Sequence, residues 1–429
     1  MENQQLENIQ PVPAKRRPWL WGVVLFVIIF GGIVCYSFFR SNSSISSSKT
    51  NEITQSDATS TDITESSSAS NYFGLNLLKK ISLEEDNIFV SPTSISSALA
   101  LAANGAEGQT LDEMLKVLGL DQVGLNTANA DYKTKMKKLN TSSDTLNISI
   151  ANSIWTTGGS SFLPAYQDLA KNVFDAKADK ASSVNDINGW VESKTNGKIK
   201  NILNYLQSDL YLVNAIYFKG DWSSPFETAD TQKESFQTRT TQTDVDMMNK
   251  TEILSYYSDS KVQVVKLPYR SDNDQGQYSM VVYLPAKSST LADLIKSLDY
   301  KKYQNYITNL SDAEVELKLP KFELDYKTDL VEKLNLLGMQ RAFGKQGELT
   351  KMSSIPQFIS EVIHQSYIKV DEKGTEAAAA TVVGTLGTAM ITEEPETVKM
   401  YVNRPFFFSI QDDETGEMLF SGAIQDPSK

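Results

Sequence analysis

The sequence predicts an α+β domain that follows a membrane-spanning segment. Helical patterns crowd the first third of the chain after residue 70, and strand patterns dominate the remainder. An uncharged run at residues 19–39 predicts the membrane helix. The chain has 429 residues, of which 40% are hydrophobic, so a disordered tail, a collagen-like fibre or a small disulfide-stapled domain is excluded as a description of the whole.

Composition also excludes several classes of partner and cofactor. The chain carries 41 Lys and Arg against 53 Asp and Glu, a net charge of −12, which repels nucleic acid. One Cys and one His allow neither an intramolecular disulfide nor a zinc site built from Cys and His clusters. We therefore expect no metal. Neither GxxxxGK[ST] nor GxGxxG occurs, so we expect no nucleotide cofactor either.

The apolar run at residues 19–39 has 21 residues without a charge. At ~1.5 Å rise per residue it reaches about 31 Å, which matches a hydrocarbon core of ~30 Å. Lys15, Arg16 and Arg17 precede the run and only Arg40 follows it, so residues 1–18 are predicted to be cytoplasmic and the rest extracellular. A cleaved signal peptide, or a lipid anchor at Cys35, is the alternative interpretation.

Residues 40–70 are predicted to be a flexible tether. Ser and Thr account for 17 of the 30 residues from 41 to 70, and large apolar side chains are almost missing. Such a segment cannot bury enough surface to offset the entropy lost on ordering. The folded domain is therefore predicted to occupy residues 71–429.

Local signals within 71–429 predict particular elements. Ser91-Pro92 begins one helix, and Thr110 with Glu113 resembles a capping box for a second helix that ends at Gly119. Residues 187–203 and 328–338 also have helical periodicity. Strands are predicted over LNISIANSIW, LYLVNAIYF, VQVVKLPY, YSMVVYLP, VELKLPKF, FISEVIHQSYIKV, FFFSIQ and MLFSGAI.

Residues 377–392 form an uncharged run after the acidic and basic segment 372–376. Four alanines favour helix, the neighbouring Thr and Val favour strand, and two glycines resist both. In a strand, alternation would place Thr375, Ala377, Ala379, Thr381, Val383 and Thr385 on one face and Glu376 on the other. An ordinary buried strand or helix is the competing interpretation.

Several motifs in order make the chain resemble the serpin family over nearly all of residues 71–429. They include NIFVSPTSISSALALAANGAEGQT at 87–110, LVNAIYFKGDWSSPF at 212–226, LPKFELDY at 319–326, EKGTEAAAAT at 372–381 and NRPFFFSI near the C-terminus. The resemblance implies a multi-helix domain with three β-sheets and an exposed reactive-centre loop. It also implies that cleavage of the loop by a protease is followed by insertion of the loop into the main sheet.

The resemblance assigns roles to particular residues of this chain. The cleaved bond is predicted at Thr388-Ala389, with Leu386 and Met390 as alternative recognition residues. Ser91, Ser94, Asn214 and His364 are implied to hold the main sheet closed, with Trp222 at its top. The loop hinge is implied to comprise Glu372, Gly374, Thr375, Glu376, Ala377, Ala378, Ala379 and Ala380.

The resemblance, together with the predicted membrane span, implies a membrane-tethered suicide inhibitor of extracellular serine proteases, anchored in the lipid bilayer of the cell membrane through residues 19–39. The uncharged side chain at the cut favours an elastase-like or subtilisin-like target, with papain-like cysteine proteases as an alternative. A non-inhibitory surface or binding protein is the second hypothesis. A hydrolase that uses His364 as its base is a third, although no G-x-S-x-G elbow is present.

Overall fold

A computed structural model describes residues 66–81, 87–140, 142–271, 277–375 and 396–429. The predicted cytoplasmic segment 1–18, the predicted span 19–39, most of the predicted tether and residues 376–395 of the loop lie outside these ranges. Among the residues within them, no helix is long and apolar enough to cross a bilayer. The membrane anchor therefore stays a prediction.

The helices follow the order predicted for the first third of the domain and recur between strands later. They are α1 (Ser66–Lys80), α2 (Pro92–Ala103), α3 (Gly108–Leu118), α4 (Leu125–Leu139), α5 (Pro164–Phe174), α6 (Val184–Lys194), α7 (Leu291–Ser297), α8 (Tyr300–Thr308) and α9 (Val331–Leu337).

The strands are concentrated in the last two thirds of the chain. They are β1 (Ile88–Val90), β2 (Leu146–Thr156), β3 (Lys177–Lys180), β4 (Leu210–Asp221), β5 (Gln232–Gln237), β6 (Gln242–Ser258), β7 (Val262–Pro268), β8 (Tyr278–Pro285), β9 (Ser311–Pro320), β10 (Phe322–Asp329), β11 (Glu361–Asp371), β12 (Gly374–Thr375), β13 (Val398–Tyr401), β14 (Phe406–Asp412) and β15 (Met418–Ile424).

The first helix begins five residues before the predicted domain boundary at Asn71. Ala69 and Ser70 are buried, and the Ser70 hydroxyl lies 3.1 Å from the hydroxyl of Ser96 on α2. Small side chains suit this position because the helix packs closely on Gly119: a Cβ atom on Gly119 would lie 3.5 Å from Ala69. The Ser-rich composition that predicted a tether therefore continues into a packed helix.

The capping box predicted at Thr110 is wrong. α3 begins at Gly108, so Thr110 lies inside the first turn, where its backbone and hydroxyl bond to Glu348. The Glu113 carboxylate instead accepts hydrogen bonds from the backbone N–H groups of Gln340 and Arg341. The predicted C-terminus is confirmed, since Gly119 takes the left-handed conformation that ends α3.

The helix predicted over 187–203 is shorter and begins earlier, at Val184. Asp186 and Ser183 form a reciprocal capping box at its N-terminus. The helix ends at Lys194 because Asn196 and Gly197 both have positive φ, 52° and 75°, which a right-handed helix does not accommodate.

The described residues form two hydrogen-bonded sheets, whereas the resemblance implies three. The six-stranded sheet has the order β10-β11-β12-β4-β2-β3, and the nine-stranded sheet has the order β1-β15-β14-β8-β7-β6-β9-β13 with β5 beside β6. The difference arises at β6, whose 17 residues pair with β5 and β9 and, at the C-terminal end, with β7. One long strand therefore joins two groups of strands into a single sheet.

The six-stranded sheet is covered on both faces. On one face, Ile216, Phe218 and Ile368 pack with side chains of the nine-stranded sheet, while α2, whose residues are all buried, packs against β4 and β2. On the other face, Ile187 and Val191 of α6 pack in one cluster with residues of β2 and β4. The sheet is thus the middle layer of the described domain.

Candidate functional site

Two neighbouring strands of the six-stranded sheet pair directly over only part of their length. β4 and β11 run parallel from the pair Tyr211–Glu361 to the pair Tyr217–Tyr367. We call this stretch, residues 211–217 and 361–367, the seam. Beyond the seam the two strands are separated by β12, which pairs antiparallel with both of them.

β12 consists of Gly374 and Thr375, two residues of the predicted loop hinge. After Asp371 the chain turns back on itself, so Thr375 lies opposite Val370 of β11 and Gly220 of β4. The Thr375 side chain is fully buried. β12 runs antiparallel to both β11 and β4, so from Gly374 to Thr375 the chain runs towards the seam. The hinge residues Gly374 and Thr375 therefore already occupy a central position in the sheet.

Gly374 is the residue that lets the hinge enter between the strands. A Cβ atom at this position would lie 2.2 Å from the carbonyl oxygen of Gly220 and 2.7 Å from Cα of Asp221. Both are backbone atoms, which cannot rotate away as a side chain could. Only glycine fits here without separating β12 from β4.

Two aromatic residues hold the hinge. The Thr375 hydroxyl lies 2.8 Å from the Tyr269 hydroxyl, and the Tyr269 ring stacks on Trp222 with centroids 4.7 Å apart. Trp222 Nε1–H donates to the Asp371 carbonyl at 3.0 Å, and its backbone N–H donates to the Lys373 carbonyl at 2.8 Å. Trp222 thus stabilises the turn between β11 and β12 through two hydrogen bonds.

Glu372, at that turn, is held by an ion pair. Lys321 Nζ lies 2.9 Å from one carboxylate oxygen, and the Thr231 hydroxyl donates to the other at 2.9 Å. Burial alone would raise the pKa of Glu372, but the bonds from Lys321 and Thr231 outweigh it and the pKa is lowered. The carboxylate is therefore ionised at neutral pH. It links the hinge to Lys321, which lies between β9 and β10.

The residues that the resemblance assigned to sheet closure lie together at the seam. His364 of β11 and Asn214 of β4 are opposite each other, and His364 Nδ1 is hydrogen-bonded to the side-chain oxygen of Asn214. The Asn214 amide donates to the Ser94 hydroxyl, and the Ser91 backbone N–H lies 3.4 Å from His364 Nε2. Trp222 is not part of this cluster, because its partners are at the hinge.

Asn152 extends the polar cluster to a third strand, and the sequence did not predict it. It lies on β2 opposite Asn214, receives a hydrogen bond from the Asn214 amide and donates to the Ser97 hydroxyl at 2.6 Å. One hydrogen-bonded row therefore crosses β2, β4 and β11. The bond between His364 and Asn214 is the link in this row that crosses the seam.

His364 is neutral and fully buried. Its Nε2 accepts from the Ser91 backbone, so Nδ1 carries the proton and donates to Asn214. Burial lowers the pKa of His364 to about 3. A side chain that reaches neither solvent nor an exposed nucleophile cannot act as the base of a hydrolase, so the geometry opposes that hypothesis.

We expect acid to destabilise the protein through His364. Its folded pKa of about 3 lies below the ordinary value of 6.5, so protonation favours unfolding. The contribution of neutral His364 to stability is complete above pH 6.5 and is lost as the pH falls towards 3, at about 1.4 kcal/mol per pH unit. Urea unfolding between pH 7 and 4 measures this slope. His364→Asn, which cannot take up the proton, should have a smaller slope; equal slopes would contradict the assignment.

Other predicted residues lie outside the described ranges, namely Glu376, Ala377, Ala378, Ala379, Ala380, Leu386, Thr388, Ala389 and Met390. Their roles stay predictions. Within the described ranges, no group of three or more His, Cys, Asp or Glu side chains is arranged to hold a metal ion.

The chain is similar to a known family over nearly the whole described domain. A family model described as Serpin (serine protease inhibitor) matches residues 68–427. Iripin-5 of Ixodes ricinus is 34% identical over 375 residues, which cover 83% of this chain and 93% of Iripin-5. Serpin B3 of Homo sapiens is 32% identical over 375 residues, which cover 80% and 94%.

The fold is similar to that of a solved structure at comparable identity. The crystal structure of a thermophilic serpin, tengpin, in the native state superimposes with a TM-score of 0.76 and 32% identity. The match covers 84% of this chain and 94% of tengpin.

Proposed function

The chain belongs to the serpin family of serine protease inhibitors, and on that premise we propose that it is a membrane-tethered suicide inhibitor of extracellular serine proteases. A target protease cleaves the loop at the predicted bond Thr388-Ala389, and the acyl-enzyme forms on the new C-terminus of the cut loop. The loop then inserts between β4 and β11 before water hydrolyses the acyl bond. The protease is carried along and its active site is distorted.

The observation that supports this proposal is the position of Thr375. Thr375 is buried between Val370 and Gly220 as part of a strand that pairs with both β4 and β11. An inserting loop needs only to extend this strand towards the seam, in the same register. The hinge therefore has the place and the direction of a strand that has begun to insert.

The register also supports the predicted alternation of the loop. Continued from Thr375, it would put residue 377 opposite Ile368 and Phe218, and residue 379 opposite Ser366 and Ile216, which are all buried. Residues 377 and 379 are alanines. Small uncharged side chains on this face would enter the core without the desolvation penalty of a charge.

The proposed target follows from the residues at the predicted cut. Thr388 and Ala389 are small and uncharged, and they suit the recognition pockets of elastase-like or subtilisin-like proteases better than those of trypsin-like ones. Papain-like cysteine proteases remain the alternative target class. If the register of cleavage differs, Leu386 or Met390 would be the recognition residue.

The proposed tether rests on the sequence. Residues 19–39 have the length and lack of charge that a bilayer requires, and the basic residues lie on their N-terminal side. Treated as a flexible chain, residues 40–65 would have an end-to-end distance of about 28 Å, which would keep the inhibitory domain clear of the headgroups. The inhibitor would then act at the outer surface of the cell membrane.

A protease panel tests the proposal. The full chain in detergent is incubated with elastase-like, subtilisin-like, trypsin-like and papain-like proteases, and products are separated by SDS electrophoresis. We expect a covalent complex with at least one elastase-like or subtilisin-like protease, and none with the same protease after chemical blocking of its active-site serine. Mass spectrometry of the released C-terminal fragment locates the cut. Complete cleavage of the loop without any complex would overturn inhibition.

A further inference from the structure

Three side chains form a cluster on the face of the six-stranded sheet that packs against α6, at the end of the seam nearest the hinge. Tyr217 of β4 and Tyr367 of β11 stack with centroids 6.2 Å apart and ring planes 29° apart. Lys198 places its ammonium 5.7 Å from the centroid of Tyr217 and 5.9 Å from that of Tyr367. We call these three residues the tyrosine clasp.

The clasp lies at the last direct pair between the two strands. Tyr217 and Tyr367 are opposite each other in the parallel register, and the next strand that β11 meets towards the hinge is β12. A loop strand that extends from Thr375 must therefore separate this pair before any other pair of the seam. The clasp is on the face opposite to His364, so the two contacts resist opening independently.

Each member of the clasp is attached to a different element. Tyr217 is buried, and the Tyr367 hydroxyl donates to the Glu323 carboxylate of β10 at 2.8 Å. Lys198 is an exposed residue of the segment that follows α6, just after the left-handed turn at Asn196 and Gly197. The clasp thus connects β4, β11 and the segment that leaves α6.

Insertion would break the clasp. Adjacent strands are about 4.8 Å apart, so a strand placed between β4 and β11 moves their backbones about 9.6 Å apart. At that distance the two rings no longer stack, and one ammonium group no longer lies over the faces of both rings. The ring stack and the two cation–π contacts stabilise the closed seam and are lost when it opens.

We propose that Lys198, Tyr217 and Tyr367 are positioning residues that set the rate at which the seam opens to admit the loop. This inference rests on the proposed function, because the opening rate decides whether the acyl-enzyme is trapped or hydrolysed. A weaker clasp opens sooner, so fewer inhibitor molecules are consumed as substrate for each protease trapped. A weaker clasp also lets the intact protein take up a foreign strand more readily.

Strand uptake measures the opening rate without any protease. A synthetic peptide with the sequence of residues 375–388 is incubated with the intact full chain in detergent, and the shifted species is followed on native gels. We expect Lys198→Met to take up the peptide about fivefold faster than the wild type, because the cation–π contacts are lost. Tyr367→Val should take it up about thirtyfold faster, because ring stacking is lost as well.

Matched variants separate the clasp from a general loss of packing. Lys198→Arg keeps a cation over the rings and should take up the peptide at the wild-type rate. Lys200→Met removes a charge two residues away, where Lys200 only approaches Glu192 at 3.8 Å, and should leave the rate unchanged. Tyr367→Phe keeps the ring but loses the bond to Glu323, and should lie close to the wild type.

The outcomes distinguish the two proposals. Equal uptake rates for the wild type, Lys198→Met and Tyr367→Val would overturn the clasp, even if the wild type forms covalent complexes with a protease. Faster uptake by these two variants, with no complex from any protein of the series, would support the clasp and overturn the inhibitory function. Under both proposals, the two variants also trap protease with a lower ratio of inhibitor consumed to complex formed.

Discussion

Thr375→Arg is expected to convert the inhibitor into a substrate. Thr375 is fully buried between β11 and β4, and its hydroxyl contacts Tyr269. An arginine here would bury a charge beside the Trp222–Tyr269 stack, and among the described residues the hydrogen-bond partner of the Thr375 side chain is a hydroxyl, not a carboxylate. An unpaired buried charge is destabilising by several kcal/mol, so the hinge would leave the sheet or insert too slowly.

The measurement is the ratio of covalent complex to cleaved inhibitor with the protease that reacts best with the wild type. For Thr375→Arg we expect the yield of complex to fall at least about tenfold, since a barrier 1.4 kcal/mol higher slows insertion by that factor. Thr375→Ser keeps the hydroxyl and should behave as the wild type. A Thr375→Arg protein that is folded by circular dichroism and traps protease with unchanged stoichiometry would contradict the role of the hinge.

The hinge and the polar cluster belong to one geometric arrangement. If the register of β12 continues, residue 381 would come to lie opposite both His364 and Asn214. Residue 381 is a threonine, whose hydroxyl can both donate and accept a hydrogen bond. The same insertion that breaks the His364–Asn214 bond would therefore supply a polar side chain between them. Opening the seam need not leave these buried groups without partners.

Much of the fold could be predicted because its strands are continuously or alternately apolar. The strands β8 and β15 have the bounds that their sequence patterns predicted, YSMVVYLP and MLFSGAI. β6 was missed, because charged and amide residues interrupt its alternation where one face is exposed. Its pairing with three other strands stabilises it through tertiary contacts, which no local pattern reports.

The candidate site could be predicted only through the family resemblance. Ser91 and His364 are 273 positions apart in the chain, so no spacing rule connects them. Tyr269 forms an isolated β-bridge with Trp222, and nothing in its local sequence indicates that its hydroxyl contacts the Thr375 hydroxyl. Asn152 similarly resembles any polar residue in a buried strand until β2 and β4 are paired. The tyrosine clasp also depends on strand register, which fixes that Tyr217 meets Tyr367.

Cleavage of the loop without a trapped protease is expected to raise the melting temperature strongly. The seam is a direct pairing of seven residues on each strand, and an inserted strand would replace it with two ladders. Ten inserted residues would form roughly 20 backbone hydrogen bonds in place of roughly 7. At about 0.5–1.5 kcal/mol net for each of the additional bonds, insertion stabilises the domain by roughly 6–20 kcal/mol.

Spread over a domain of this size, that gain should raise the melting temperature by roughly 10–25 °C, because the entropy of unfolding is about 2 cal/mol/K per residue. The experiment nicks the chain between residues 376 and 395 with a protease that is not inhibited, and compares the intact and nicked proteins by calorimetry. Thr375→Arg, nicked in the same way, is the control, since its hinge cannot enter the sheet. Nicking should therefore raise the melting temperature of the wild type far more than that of the variant, each compared with its own intact protein. If nicking leaves the melting temperature of the wild type unchanged, the intact fold is not metastable, and trapping by strand insertion has no source of free energy.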